Sequence, residues 1–289
     1  MLIGPEFDSF FIRAMDALRP YTGDIVCIGG CANALYRHHL LAAPSSLAYV
    51  GTYDIDLAVA DKVPVRNRKP IAYIMTSAGM KEQLYGTSER AVVKYAPADE
   101  SIVADVEFLC SSSGLTGTRG GKGVPIAHEV QKKVMAQPMR YLELLLTRPW
   151  VVDVGNIPGF AALKSVQLRI PNPASYIVQK ILIQHEGRKR ESVAKDFYYI
   201  FEVSVLFRNA LDELRCDYQA LCGEFPMKWM SRFERSVAVL FRDPFAEGPV
   251  MAAQVHRGIQ ANPPGEMPVD EVVIAASVQR LIRGLCGEP

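Results

Sequence analysis

Two aspartates, Asp54 and Asp56, stand two residues apart inside an apolar stretch, residues 49–59, that reads as a buried strand. Side chains alternate faces along a strand, so the two carboxylates share one face while Tyr53, Ile55 and Leu57 take the other. Like charges held side by side repel, and a metal ion or a shared proton stabilises such an arrangement. A second acid-bearing apolar run follows at residues 103–109, with Asp105 and Glu107 again on one face. Upstream, a strand-like run ends in Gly29-Gly30 and passes into a helix. A glycine turn lets backbone N–H groups approach a ligand, and a helix start favours anions. Taken in chain order, these features suit a phosphoryl-transfer site of nucleotidyl type. Three carboxylates can hold two Mg²⁺ ions about 3.5–4 Å apart, one lowering the pKa of an attacking hydroxyl, the other clamping the triphosphate and its leaving pyrophosphate. Mn²⁺ is the alternative ion. Glu107, between Val106 and Phe108, is the favoured third ligand; Asp105 shares its face and is the alternative, as ligand or as outer partner.

The elements that must position these groups follow from the hydrophobic pattern. The spacing of Phe7, Phe10, Phe11, Met15 and Leu18 predicts a helix over residues 6–19. A strand is expected at 24–28, a helix at 32–41, the strand bearing Asp54 and Asp56, a short apolar run at 71–74, and strands at 91–95 and 102–110. That alternation implies a mixed sheet with helices. From Pro173 the pattern turns helical, at residues 173–186, 194–211, 227–241 and 269–285, with Met227, Met230, Phe233, Val237 and Leu240 forming one stripe. The expected fold class is therefore α+β. A mixed-sheet catalytic domain over residues 1–165 precedes an all-helical domain over 166–289 that completes the cleft, with proline and glycine breakers at 155–173.

The remaining features exclude more than they suggest. A net charge of +1 argues against a general polyanion binder. The N-terminal stretch has early acids and amphipathic spacing, so no secretory signal is expected, and no run reaches the ~18 apolar residues of a membrane span. The six cysteines form no CxxC pair, which favours reduced thiols and a cytoplasmic setting. Gly121-Lys122 fails the phosphate-loop spacing, because Thr116 and Gly123 stand where Gly and Ser or Thr are required. Residues 111–126 read as a mobile surface loop. His38 and His39 are adjacent and point apart on a helix, and Arg188, Lys189 and Arg190 read as a solvated basic loop.

Gly29-Gly30, Thr52-x-Asp54-x-Asp56 and the apolar-flanked Glu107 resemble the motifs of the DNA-polymerase-β-type nucleotidyltransferase superfamily. More narrowly, the chain resembles the bacterial minimal and toxin-like, abortive-infection-type members with a fused helical half. That half matches through Pro173, Tyr176, Lys180 and Lys195-Asp196, and the resemblance covers roughly residues 20–210. It implies an NTP substrate bound by Gly29, Gly30, Cys31 and Thr52, with Lys180 reaching the triphosphate and Lys195 and Asp196 shaping the far wall. It also implies NMP transfer to a hydroxyl of a tRNA, a protein or a small molecule, and an antitoxin partner. Two positions depart from the pattern: Cys31 replaces a Ser or Thr, and Tyr199 stands where a second Asp often follows. Cys31 is a poorer donor. It is the one feature favouring a catalytically degenerate nucleotide- or partner-binding module.

Overall fold

The computed structural model describes residues 4–47, 50–85, 91–99, 102–112, 127–185, 187–259 and 269–287. Most of the loop expected at 111–126 lies outside them. The chain divides into two compact units, one of residues 1–39 and 51–171, the other of residues 40–50 and 172–289. The fold is α+β, a mixed sheet in the first unit and helices in the second.

In the first unit, helix α1 (Pro5–Ala17) buries Phe7, Phe10, Phe11, Ala14 and Met15, as its spacing requires. The sheet consists of β1 (Ile25–Cys27), β2 (Asp54–Val59), β3 (Met80–Tyr85), β4 (Val92–Pro97), β5 (Asp105–Ser111), β6 (His128–Gln131) and β7 (Val134–Met139). The order β1-β2-β5-β4-β3 has β7 beside the end of β5, and β6 beside β7. Strands β2 and β5 run parallel, as do β5 and β7, while the other pairs are antiparallel. Helix α2 (Gly29–Tyr36) follows β1, α3 (Ile71–Ser77) precedes β3, and α4 (Leu142–Leu146) follows β7. A separate hairpin of β8 (Trp150–Asp153) and β9 (Gln167–Ile170) ends the unit.

The alternation of β2 and β5 now has two burial partners. Ile55, Leu57, Val106, Phe108 and Tyr95 pack on one face, with Tyr95 and Phe108 edge to face at 6.1 Å. On the other face the strand starts carry the acids. Two residues past each acidic pair, Ala58 and Leu109 enter a cluster with Val26, Ile28, Leu142 and Leu145. Helix α4 therefore covers only the far end of that face.

The second unit contains α5 (Pro173–Leu182), α6 (Arg190–Leu206), α7 (Leu211–Glu224), α8 (Met227–Leu240), α9 (Glu247–Ile259) and α10 (Glu271–Cys286). Asn172 caps α5 by accepting from Ser175 N–H at 2.8 Å, and Pro173 occupies the first turn, where no N–H is needed. Every position of α5 is buried, including Lys180, because α6, α7 and α8 pack around it. The segment 40–50 docks on this unit through Ala43 N–H, which donates to the Leu206 carbonyl at 2.7 Å.

Several expectations need correction. The helix expected at 32–41 begins at Gly29 and ends at Tyr36, so the two glycines are its first turn and not a loop before it. The apolar run at 71–74 belongs to a helix, since its four residues lead into Met75, Thr76 and Ser77 with helical bonding. The helix expected over 194–211 starts earlier, at Arg190, and breaks at 207–210 before α7. Met227 is 69% exposed, so the stripe of α8 begins at Met230. No helix among the described residues is long and apolar enough to cross a membrane.

Candidate functional site

Parallel pairing of β2 with β5 places Asp54 opposite Asp105 and Asp56 opposite Glu107. Register partners on adjacent strands point to the same face, so four carboxylates line one edge of one face. Asp54 is exposed, Asp56 and Asp105 are partly buried, and Glu107 is 8% exposed. The four are brought together by strand pairing between segments about fifty residues apart in sequence.

Asp56 sits against the start of α2. A Cβ built on Gly29 would lie 2.1 Å from Asp56 Oδ2, and Gly29 has φ +64°, a left-handed conformation that favours glycine. Ile28 N–H donates to the Asp56 carbonyl at 2.8 Å, tying the helix start to β2. The carboxylate thus meets the positive end of α2, where first-turn N–H groups have no intrahelical acceptor. Thr52 Oγ1 accepts from Asp54 N–H at 3.4 Å and shapes the turn into β2. Cys31 lies inside the molecule beside Cys27, and burial raises its thiol well above the ordinary cysteine range. Cys27 beside it, and the nearby charges of Asp56 and Asp54, push the thiol the same way.

The third acid has a partner that sequence reasoning missed. Lys94 on β4 is the register partner of Glu107. Its Nζ donates to Asp105 Oδ1 at 3.1 Å and Oδ2 at 3.2 Å, and lies 3.1 Å from Glu107 Oε2. Glu107 Oε1 is buried with no hydrogen-bond partner. Burial raises the carboxyls of Asp105 and Glu107 above their ordinary values, with Lys94 working against that rise. Burial disfavours the charge on Lys94, yet Glu107 and Asp105 together hold its ammonium above the ordinary lysine value. The available signal was a lysine alternating with apolar residues in a strand, a pattern that demands a nearby acid.

A groove of about 500 Å³ opens beside Asp54 and Asp105, between the start of α1 and residues 51–53 and 102–104. Tyr53 and Val103 present exposed apolar surface there, and Asp105 N–H donates to the Tyr53 carbonyl at 3.2 Å, joining the two segments.

In the second unit, Lys180 and Asp196 form a buried pair, Nζ to Oδ1 2.6 Å, and Arg188 pairs with the other carboxylate oxygen. Lys180 Nζ also lies 5.3 Å from the Tyr176 ring and 5.6 Å from the Tyr199 ring. Tyr199, where the superfamily pattern often has an acid, is therefore a wall for the ammonium. Arg188 is an ion-pair partner and not part of a solvated loop. Lys195 is exposed, and the two cations paired with Asp196 are Lys180 and Arg188.

Divalent-cation chemistry can be tested against these donors. Asp54 and Asp56 are hard oxygen donors on an open strand end and fit such an ion. Asp105 and Glu107 fit less well, because the Lys94 ammonium already touches three of their four oxygens. No group of three or more His, Cys, Asp or Glu among the described residues has metal-holding geometry.

A family model described as nucleotidyltransferase matches residues 9–221, about three quarters of the chain and reaching into both units. No curated protein and no solved structure matches it.

Three outcomes follow from this geometry. Gly29→Ala should push on the Asp56 carboxylate and strain the backbone, lowering unfolding free energy by about 1–3 kcal/mol in a urea melt. Unchanged stability would mean that the helix start shifts freely away from Asp56. Lys180→Met leaves a buried carboxylate with one partner instead of two and should cost about 3 kcal/mol, whereas Lys180→Met with Asp196→Asn should cost less. A neutral Lys180→Met would show that the pair is not structural. The third concerns pH. Since folding raises the Glu107 carboxyl, its contribution to stability is complete below the ordinary glutamate value and is lost as pH climbs through the folded value. Glu107→Gln removes that loss. Without divalent ions, the melting temperature of the variant relative to wild type should rise as pH climbs above the ordinary glutamate value. A falling difference would reverse the assigned shift.

Proposed function

The chain belongs to the nucleotidyltransferase family, and from that premise we propose that it transfers an NMP from an NTP to an acceptor hydroxyl with a divalent cation, Mg²⁺ or Mn²⁺. The observation that carries the reading is the in-register placement of Asp54 and Asp56 beside a second acidic pair, with Asp56 seated on the glycine start of a helix. Asp54 and Asp56 are the residues that would hold the ion, with Glu107, or Asp105 in its place, as the third acid. When bound, such an ion supplies charge neutralisation for the triphosphate and for the oxygen that leaves with pyrophosphate. The first-turn N–H groups at Gly29, Gly30 and Cys31 offer donors to phosphate oxygens. Thr52 holds the turn, and the groove at Tyr53 and Val103 has room for a base or for part of the acceptor.

The second unit's contribution is proposed through Lys180, Lys195 and Asp196. Lys180 would meet a triphosphate through the ammonium N–H groups that its bond to Asp196 leaves over. Arg188, held by the same carboxylate and partly exposed, is the member of that trio open to solvent. The acceptor is an RNA end, a protein side chain or a small molecule. A toxin or defence role in a cytoplasmic setting, with an antitoxin partner, rests on the superfamily resemblance.

The test pairs binding with chemistry. Melting with Mg²⁺ and each of the four NTPs should show stabilisation that needs both components. Incubation with α-phosphate-labelled NTPs and cell RNA, protein or candidate small molecules should place label in one fraction. Asp54→Asn and Asp56→Asn should each lower transfer at least about 100-fold while the fold persists. Stabilisation by NTP alone with no labelled acceptor would instead support the degenerate binding module. Turnover near wild type in either variant would sink the proposed site. A larger loss in Asp105→Asn than in Glu107→Gln would move the third-acid role to Asp105.

A further inference from the structure

Strand pairing brings an ammonium to the place where a second cation would be expected. Lys94 lies opposite Glu107 in the antiparallel register of β4 with β5, and its side chain is 17% exposed. Of the four carboxylate oxygens on Asp105 and Glu107, three lie within 3.2 Å of its Nζ. The Tyr85 ring lies 5.1 Å from the same nitrogen. The fourth oxygen, Glu107 Oε1, is buried and has no partner among the described residues. A divalent ion bound between these two acids needs oxygens at roughly 2.0–2.6 Å, and three of the four on offer already carry the ammonium. An ion on those same oxygens would stand close to the ammonium and be repelled by it, and expelling Lys94 would move a largely buried charge away from the acids that hold it.

Resting on the reading that Asp54 and Asp56 hold a divalent ion, we infer that Lys94 takes the place of a second one. The site binds a single divalent ion through Asp54 and Asp56, and the Lys94 ammonium supplies the positive charge for Asp105 and Glu107. Lys94 is then a positioning residue. It fixes both acids and leaves one oxygen, Oε1 of Glu107, the register partner of Asp56, outside its own contacts. Lysine suits this task because its ammonium is a compact point charge with three donors. The sequence expectation of two ions is thereby reduced to one ion and one side chain.

The experiment counts ions. Wild-type chain is equilibrated by dialysis with Mn²⁺ and, in turn, the α,β-methylene analogues of ATP, GTP, CTP and UTP, which pass the membrane freely, and bound Mn²⁺ is the excess of total Mn²⁺ over analogue-matched buffer on the protein side, corrected for the Mn²⁺ carried by bound analogue alone. One ion per chain is expected in wild type and in Lys94→Arg, and two in Lys94→Met, in which the second carboxylate pair is released. Asp54→Asn should reduce the wild-type count to zero. Two ions in wild type would overturn the Lys94 assignment while leaving the metal reading of Asp54 and Asp56 intact. No bound ion with any analogue would instead overturn that underlying reading, and the inference with it. Should Lys94→Met fail to fold, the wild-type count decides alone.

Discussion

The acidic edge of the first unit is governed by the repulsion between carboxylates on two parallel strands. Adjacent strands lie about 4.8 Å apart, and at an effective dielectric constant near 20 two such charges repel by roughly 3 kcal/mol. The sheet imposes that spacing twice, at Asp54 with Asp105 and at Asp56 with Glu107. The fold responds with two positive sources of its own. One is the start of α2, brought into contact with Asp56 by a residue that cannot carry a side chain. The other is Lys94, brought across by β4. Neither reaches Asp54, the most exposed of the four, and that is where a cation from solution has access.

The same constraint explains where the sheet's core stops. Beyond the acids, the strand positions on their face become Ala58 and Leu109, and α4 covers them with Leu142 and Leu145. Were α4 to extend over the strand starts, it would bury four carboxylates. The short, five-residue α4 leaves that end open. The carboxyls of Asp105 and Glu107 are nevertheless raised by burial, the electrostatic cost of even a partly covered acidic edge.

Much of this was legible in the sequence because it is local. Period-two spacing puts Asp54 with Asp56 and Asp105 with Glu107 whatever else the chain does, and the α+β order follows from the change of hydrophobic period near Pro173. What was not legible depends on pairing between distant segments. Lys94 acquires meaning only when β4 lies beside β5, and no spacing rule announces that register. Strands β6, β8 and β9 have four residues each and β7 carries Gln137 and Pro138, so they give little continuous apolar signal. The superfamily resemblance makes Lys180 a phosphate ligand, and local composition makes Arg188 a loop charge. The structure joins both to Asp196, because burying every face of α5 forces its lysine to find an acid.

Cys31 shows how a departure from a motif changes weight once its surroundings are known. Read from sequence, a cysteine in place of Ser or Thr subtracts a hydroxyl donor from the phosphate site. In the fold, the Cys31 side chain is enclosed with Cys27, Ala32 and Ala34, and its thiol is driven further toward the neutral form by burial. A hydroxyl in that enclosure would need a hydrogen-bond partner that a thiol can forgo, since sulfur is a weak donor and packs as a small apolar group. The substitution is thus explained by the interior it occupies. The groups at this helix start that can meet a phosphate belong to the backbone, and a change from oxygen to sulfur leaves them unaltered. The ground for reading the chain as a degenerate binding module is correspondingly weaker than its motif suggests.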